Sequence, residues 1–230
     1  MKKYLQTTGE IDPSFRLPLH RKFDTVDLIY VGYGALIVVL VLVSYLLGVF
    51  NFLPNDPQQN HMELLMAPPG TPGYLLGTDF MGRDILSRLI LGIQAYFLPG
   101  MLAISISLSG GVLLGVLAGY RGGYAETAIT YFTNLVDSFP RLVLILLVIA
   151  AFKPDIYYIM MVMGITGVPA VASAIAGKIR LLVQKNFIEA AIALGLRRRV
   201  IILKHILWYN CRAILIIQAT LGMGEAILLE

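Results

Sequence analysis

The sequence predicts an all-α polytopic membrane protein. Three observations carry that prediction. Hydrophobic residues make up 57% of the chain and charged residues only 14%, and mean hydropathy is +0.77. A soluble domain would carry about a quarter charged residues. Apolar runs long enough to cross a bilayer, which takes about 20 helical residues, recur along the chain. The basic residues are also clustered: Lys2, Lys3, Arg16, Arg21 and Lys22 precede the first run, and eight more lie between Lys178 and Arg212. Two clusters on one side of a membrane satisfy the positive-inside rule. That arrangement displaces a nucleic-acid surface as the reading of the +4 net charge.

The elements follow in order. Residues 1–26 are polar and basic and read as a cytosolic amino-terminal arm. Residues 27–50 form the first span, Leu28–Phe50. The run is too long for a signal-peptide core and has no A-x-A-like cleavage site, so it is read as retained. Residues 51–95 change character. Pro54, Pro57, Pro68, Pro69 and Pro72 forbid a long helix, and Gly70, Gly73 and Gly77 add turns. With the amino terminus inside, this loop lies outside. Its last part, Leu76–Gly92, reads as an amphipathic surface helix capped by Thr78 or Asp79, with Asp84 and Arg88 paired four apart.

Residues 96–230 form the core. Span 2, about Tyr96–Gly119, carries Ala103, Ser107, Gly111, Gly115 and Gly119 at intervals of four. Such a stripe lets another helix pack closely. Tyr120–Ala125 is a turn. Span 3, about Ala128–Phe152, holds Asp137 and Arg141 four apart. They are read as an anchoring pair near the cytosolic interface or as a contact near the pathway or the motor. Span 4, about Ile156–Ala176, is expected to kink at Gly164, Gly167 and Pro169, with Met160, Met161 and Met163 as packing. Span 5, about Ile214–Leu229, contains Glu225 with Gln218 seven residues back on nearly the same face. An acid there needs a polar partner or a wet cavity. Cys211 is alone and is expected to be buried. His20, His61 and His205 lack metal-ligand spacing, so no metal site is expected.

Counting crossings puts residues 177–212 inside. This segment reads as two short helices: Asn186 caps the first with Glu189 at its third position, Gly195 ends it, and Arg197–Leu207 forms the second. An apolar helix pair there either docks in a partner's groove or lies on anionic lipid.

Two motifs add a resemblance. Glu189-Ala190-Ala191, then Gly195, then Ile206-Leu207, resembles the EAA loop of ABC-importer permeases. Leu76–Gly92, with Gly77, Thr78, Asp79, Gly82, Arg83, Asp84, Ser87 and Arg88, resembles the LGTD-x-x-GRD-x-x-SR signature of the C-type permeases of dipeptide, oligopeptide and nickel importers. Tyr120–Gly123 and Asp137–Pro140 also match that group. The resemblance covers roughly residues 27–230. It implies a type I ABC importer transmembrane domain with five spans in this chain, in a bacterial inner membrane. Asn186, Glu189, Ala190, Ala191, Gly195, Arg197 and Arg198 would then couple to an ATPase. The implied partners are a second homologous permease, two ATP-binding subunits that hold ATP and magnesium, an external solute-binding protein, and lipid. This chain has no G-x-x-x-x-G-K-[ST] loop and is expected to be a transport subunit rather than an enzyme. It departs from the family at Trp208, where the pattern has proline. It also stops at Glu230, where the family continues to a sixth span. The alternatives are a secondary transporter or channel without an ATPase, and a truncated, inactive permease.

Overall fold

The computed structural model describes residues 25–152 and 154–228. The arm expected over residues 1–26 lies outside the described residues up to residue 24, and its last two residues already belong to the first helix. The chain divides into two units, Met1–Phe52 and Leu53–Glu230. The described part of the first unit is helix α1, Thr25–Val49, with residues 50–52 after it. It is apolar all round, as a helix facing lipid must be.

The second unit begins with a loop over residues 53–84 and continues as six helices: α2 Ile85–Arg121, α3 Gly123–Asp137, α4 Arg141–Ala151, α5 Ile156–Val183, α6 Asn186–Ala193 and α7 Arg198–Leu228. Counting the bent α3–α4 pair as one crossing, the described residues supply up to five spans. That agrees with the five apolar runs. No β-ladder forms among them; the two isolated bridges lie in the 53–84 loop.

Helices α2 and α5 form the backbone of the unit, and the small-residue stripe is their seam. A Cβ at Gly111 would lie 2.4 Å from Val171 Cβ, and one at Gly115 or Gly119 would lie 2.8 Å from the carbonyl oxygen of Ala172 or Ala176. The relation reverses further along: a Cβ at Gly164 would meet the Ala103 oxygen at 2.8 Å, and one at Gly167 would meet Ser107 Oγ at 2.7 Å. Packing is therefore close: the glycines lie directly against backbone carbonyls and against the β-branched side chains of Val171, Ile175 and Ile179, an approach that only small residues permit. All five stripe positions contribute. Two apolar cores flank the seam. One joins Val171, Ile175, Ile179 and Leu182 of α5 to Ile188 and Ala191 of α6 and to Ile201, Ile206 and Cys211 of α7. The other joins Ala103, Ile145, Met160, Met163 and Ala226 near the opposite end. Cys211 is buried, as expected.

Four expectations are corrected. Leu76–Gly92 is not a separate amphipathic helix. Residues 76–84 are loop, and the helix from Ile85 runs unbroken through the whole of span 2 to Arg121. Span 3 is not one helix: α3 and α4 are bent by 68° at Ser138–Pro140, because Pro140 has no N–H to donate and disfavours helical backbone at the residue before it. Span 4 runs on to Val183, beyond the Ala176 expected. The second inner helix and span 5 are one helix, Arg198–Leu228, wound as a π-helix over Ile201–Cys211. Trp208, in place of the family's proline, keeps its backbone N–H, so nothing at that position interrupts the helix.

Candidate functional site

The 53–84 loop is built by the residues of the LGTD…GRD…SR motif. Asp84 precedes α2 with extended backbone and accepts from the N–H groups of Leu86 and Ser87, satisfying two orphan donors at the helix start. Its Oδ2 also accepts from Ser87 Oγ at 2.6 Å and from Asn55 Nδ2 at 3.3 Å. Ser87 Oγ in turn accepts from the Asn55 N–H at 3.1 Å. Asp84 and Ser87 are almost fully buried in doing this. The cap is therefore Asp84, not Thr78 or Asp79. The expected Asp84–Arg88 pair does not form, because the Asp84 carboxylate is already used by the helix start.

Thr78 and Asp79 hold the loop instead. Thr78 Oγ1 donates to the Leu64 carbonyl and accepts from the Ala67 N–H at 2.9 Å. Asp79 Oδ1 accepts from the N–H groups of Met81 at 2.9 Å and Arg83 at 3.0 Å. Its Oδ2 meets Arg83 Nη2 at 2.8 Å and, more distantly, Arg88 Nε at 3.8 Å. Desolvation pushes the Asp79 carboxyl up. The Arg83 backbone and side-chain hydrogen bonds, the Met81 N–H and the guanidinium charge outweigh it and bring the pKa down to about 2. Gly77 and Gly82 have positive φ, and a Cβ on either would lie 2.3 Å from the Ala67 oxygen or 2.0 Å from the His61 oxygen. Both therefore have to be glycine. Every motif position accordingly has a structural task in fixing this loop on the start of α2. Asn55, which completes the arrangement, was not foreseen, because no spacing rule connects it to Ser87.

Helix α6 is the second candidate. Ile188 and Ala191 point into the core, while Asn186, Phe187, Glu189, Ala190 and Ile192 are exposed. Asn186 is not the cap; it is the first helical residue, and Lys185 before it makes no side-chain cap. The other end is as expected. Gly195, at φ 74°, donates to the Ile192 carbonyl at 2.9 Å, and Leu196 donates to that of Ala191 at 3.1 Å. These are the two hydrogen bonds of a Schellman motif. Arg197 and Arg198 follow at the start of α7, exposed. Glu189, Ile192 and Arg198 share a groove with Tyr120 and Arg121 at the end of α2. Close by, Arg180 of α5 meets Glu126 of α3 at 2.6 Å.

A third group lies between the spans. Arg141 does not pair with Asp137, because the break at Pro140 removes them from a common helix. Arg141 Nη1 instead meets Glu225 Oε2 at 2.5 Å, joining α4 to α7. The polar partner that Glu225 needs is thus present, 84 positions away in the chain. Glu225 and Gln218 line one small cavity with Ser107 and Gly167.

A bundle of apolar helices with a closely packed seam, a short helix anchored in its core and paired charges within it defines a multi-pass membrane protein. Residues 111–230 match the family described as "Binding-protein-dependent transport system inner membrane component". The dipeptide transport system permease protein DppC of Haemophilus influenzae is 31% identical over 208 residues, covering 85% of this chain and 68% of that protein. The oligopeptide transport system permease protein OppC of the same organism is 30% identical over 198 residues, covering 86% and 63%. The di/tripeptide transport system permease protein DppC of Pseudomonas aeruginosa is 32% identical over 200 residues, covering 85% and 66%. The chain belongs to this family of inner-membrane transport components, as its two motifs lead one to expect. It spans about two thirds of the length of these relatives.

Proposed function

We propose that this chain is a membrane-spanning permease subunit of an ATP-driven peptide importer, with α6 as the element that receives the motor's motion. The observation that carries the reading is the construction of α6. A helix of two turns is too short to be stable alone. This one is held by Ile188 and Ala191 in the core shared with α5 and α7 and closed by the Gly195 motif. It still presents Phe187, Glu189 and Ile192 outward. A short, firmly anchored helix with an apolar and charged outer face suits a partner's groove. The names of the relatives support peptides as cargo.

In this reading the amino terminus and α6 lie on the cytosolic side of a bacterial inner membrane, where both basic clusters then fall. A second permease completes the pathway, two separate subunits bind and hydrolyse ATP with magnesium, and an external solute-binding protein delivers the cargo. Closure of the ATPase pair moves α6, and the bundle alternates its access between the two sides.

The test is Glu189→Lys. The charge reversal on the exposed face is expected to lower copurification with the ATPase subunits and to reduce ATP-dependent uptake by at least tenfold, a coupling of about 1.4 kcal/mol, while the thermal stability of the isolated chain is unchanged. Full association and full uptake would exclude α6 as the motor contact.

A further inference from the structure

Arg141, Glu225 and Gln218 sit where a membrane protein has least reason to place them. Arg141 opens α4, directly after the 68° break, and α4 continues for 11 residues, roughly 16 Å. The pair therefore lies well inside the span and not at its edge. A helix interrupted at that depth is tolerated where it lines a cavity, and in transporters such interruptions mark the binding site. Glu225 is not enclosed by this chain: its side chain is 55% exposed and that of Arg141 28%. Gln218 is half-buried in the same cavity, and its amide makes no hydrogen bond to the described residues. Glu225 and Gln218 face one small cavity, with Arg141 paired to Glu225 beside it; an acid and an amide at such a place in an apolar span call for water or a polar ligand there.

We propose that this group is a station for a zwitterionic solute, a proposal that rests on the importer reading above. The Arg141–Glu225 pair opens to admit a solute carrying both a free ammonium and a free carboxylate. Arg141 receives the carboxylate in the two-pronged geometry that guanidinium favours. Glu225 receives the ammonium, and Gln218 hydrogen-bonds the polar groups between them. One internal ion pair is exchanged for two, no net charge enters the membrane, and the pair closes again when the solute leaves. Closed, it spares both charges an unpaired state in the empty transporter.

The experiment uses the full importer in cells, comparing uptake of Ala-Ala with that of N-acetyl-Ala-Ala through the wild type, Glu225→Gln, Gln218→Met and the exchange Arg141→Glu/Glu225→Arg. Glu225→Gln is expected to lower uptake of the free peptide by about ten- to a hundredfold, the worth of a hydrogen bond to a charged group, and to leave the acetylated peptide within about twofold of wild type. Gln218→Met, which tests the cavity without touching the pair, is expected to lower uptake of both peptides. The exchange variant keeps the ion pair but reverses the station, and is expected to remain defective for Ala-Ala. Equal losses for both peptides with Glu225→Gln, or full rescue by the exchange, would show a purely structural pair and overturn the station. If the wild type takes up no dipeptide, it is the importer reading that fails. Copurification with the ATPase subunits tells a misassembled variant from an assembled one.

Discussion

Asp79 shows how much one carboxylate can organise. It accepts from two backbone N–H groups and one guanidinium, and its pKa falls to about 2 from an ordinary 3.8. A carboxyl lowered on folding stabilises the folded loop above its unfolded pKa, and that contribution is lost as pH falls through the folded value. The protection of residues 62–84 against amide exchange, corrected for the intrinsic rate, is therefore expected to hold down to about pH 4 and to fall between about pH 4 and 2. Asp79→Asn should exchange faster at neutral pH and lose that acid step; an unchanged acid profile would remove Asp79 as the organiser. Individual partners were the least legible part of the sequence. Asp84 and Arg88 have the spacing of a helical pair, but Asp84 stands one residue before the helix, where its carboxylate faces the first N–H groups. Asp137 and Arg141 have the same spacing, and Pro140 ends the helix between them. Spacing rules hold only inside one helix, so the actual partner of Arg141 was out of their reach.

At the scale of elements, the seam of α2 and α5 was readable in one partner only. Five small residues at intervals of four declare a face, and the structure uses all five. Nothing in the stripe names Val171, Ala172 or Ala176 as the surface it meets. The seam makes a sharp contrast between glycines. Gly111→Leu places atoms where Val171 already stands, 2.4 Å away, and is expected to cost about 1–3 kcal/mol by overpacking, seen as a lower melting temperature in detergent. Gly177 has open space around a Cβ, and Gly177→Ala is expected to leave stability unchanged or raise it by up to about 1 kcal/mol, the helix-propensity difference. Equal behaviour of the two variants would mean that the seam is not a close contact. Helix ends were less legible than helix faces. Lys178 and Arg180 interrupt the apolar run of α5, and Asn210 and Arg212 that of α7, so hydropathy alone ended the first too early and divided the second into two.

For the whole molecule, the number of apolar crossings was legible because hydrocarbon leaves the backbone no alternative to helix. The side on which each loop lies rests on charge alone and can be measured. Cys211 is the single cysteine and is buried, so the chain supplies its own unreactive background. Leu194 and Met66 are 81% and 76% exposed. Leu194→Cys is expected to react with a membrane-impermeant maleimide only in inside-out vesicles, and Met66→Cys only in right-side-out cells or spheroplasts. Labelling of both from the same side would refute the crossing count. The seam also has a mechanical consequence. Helix α2 is 37 residues long, about 55 Å, and carries the Asp84-anchored loop at one end. Backbone contact fastens it to α5, and α5 leads through Gln184 and Lys185 into α6. The α5 side chains in that seam, Val171, Ile175 and Ile179, are β-branched with little rotamer freedom to absorb a displacement, so the two helices act as one stiff strut. A push delivered at α6 should arrive at the far loop as a movement of the same strut.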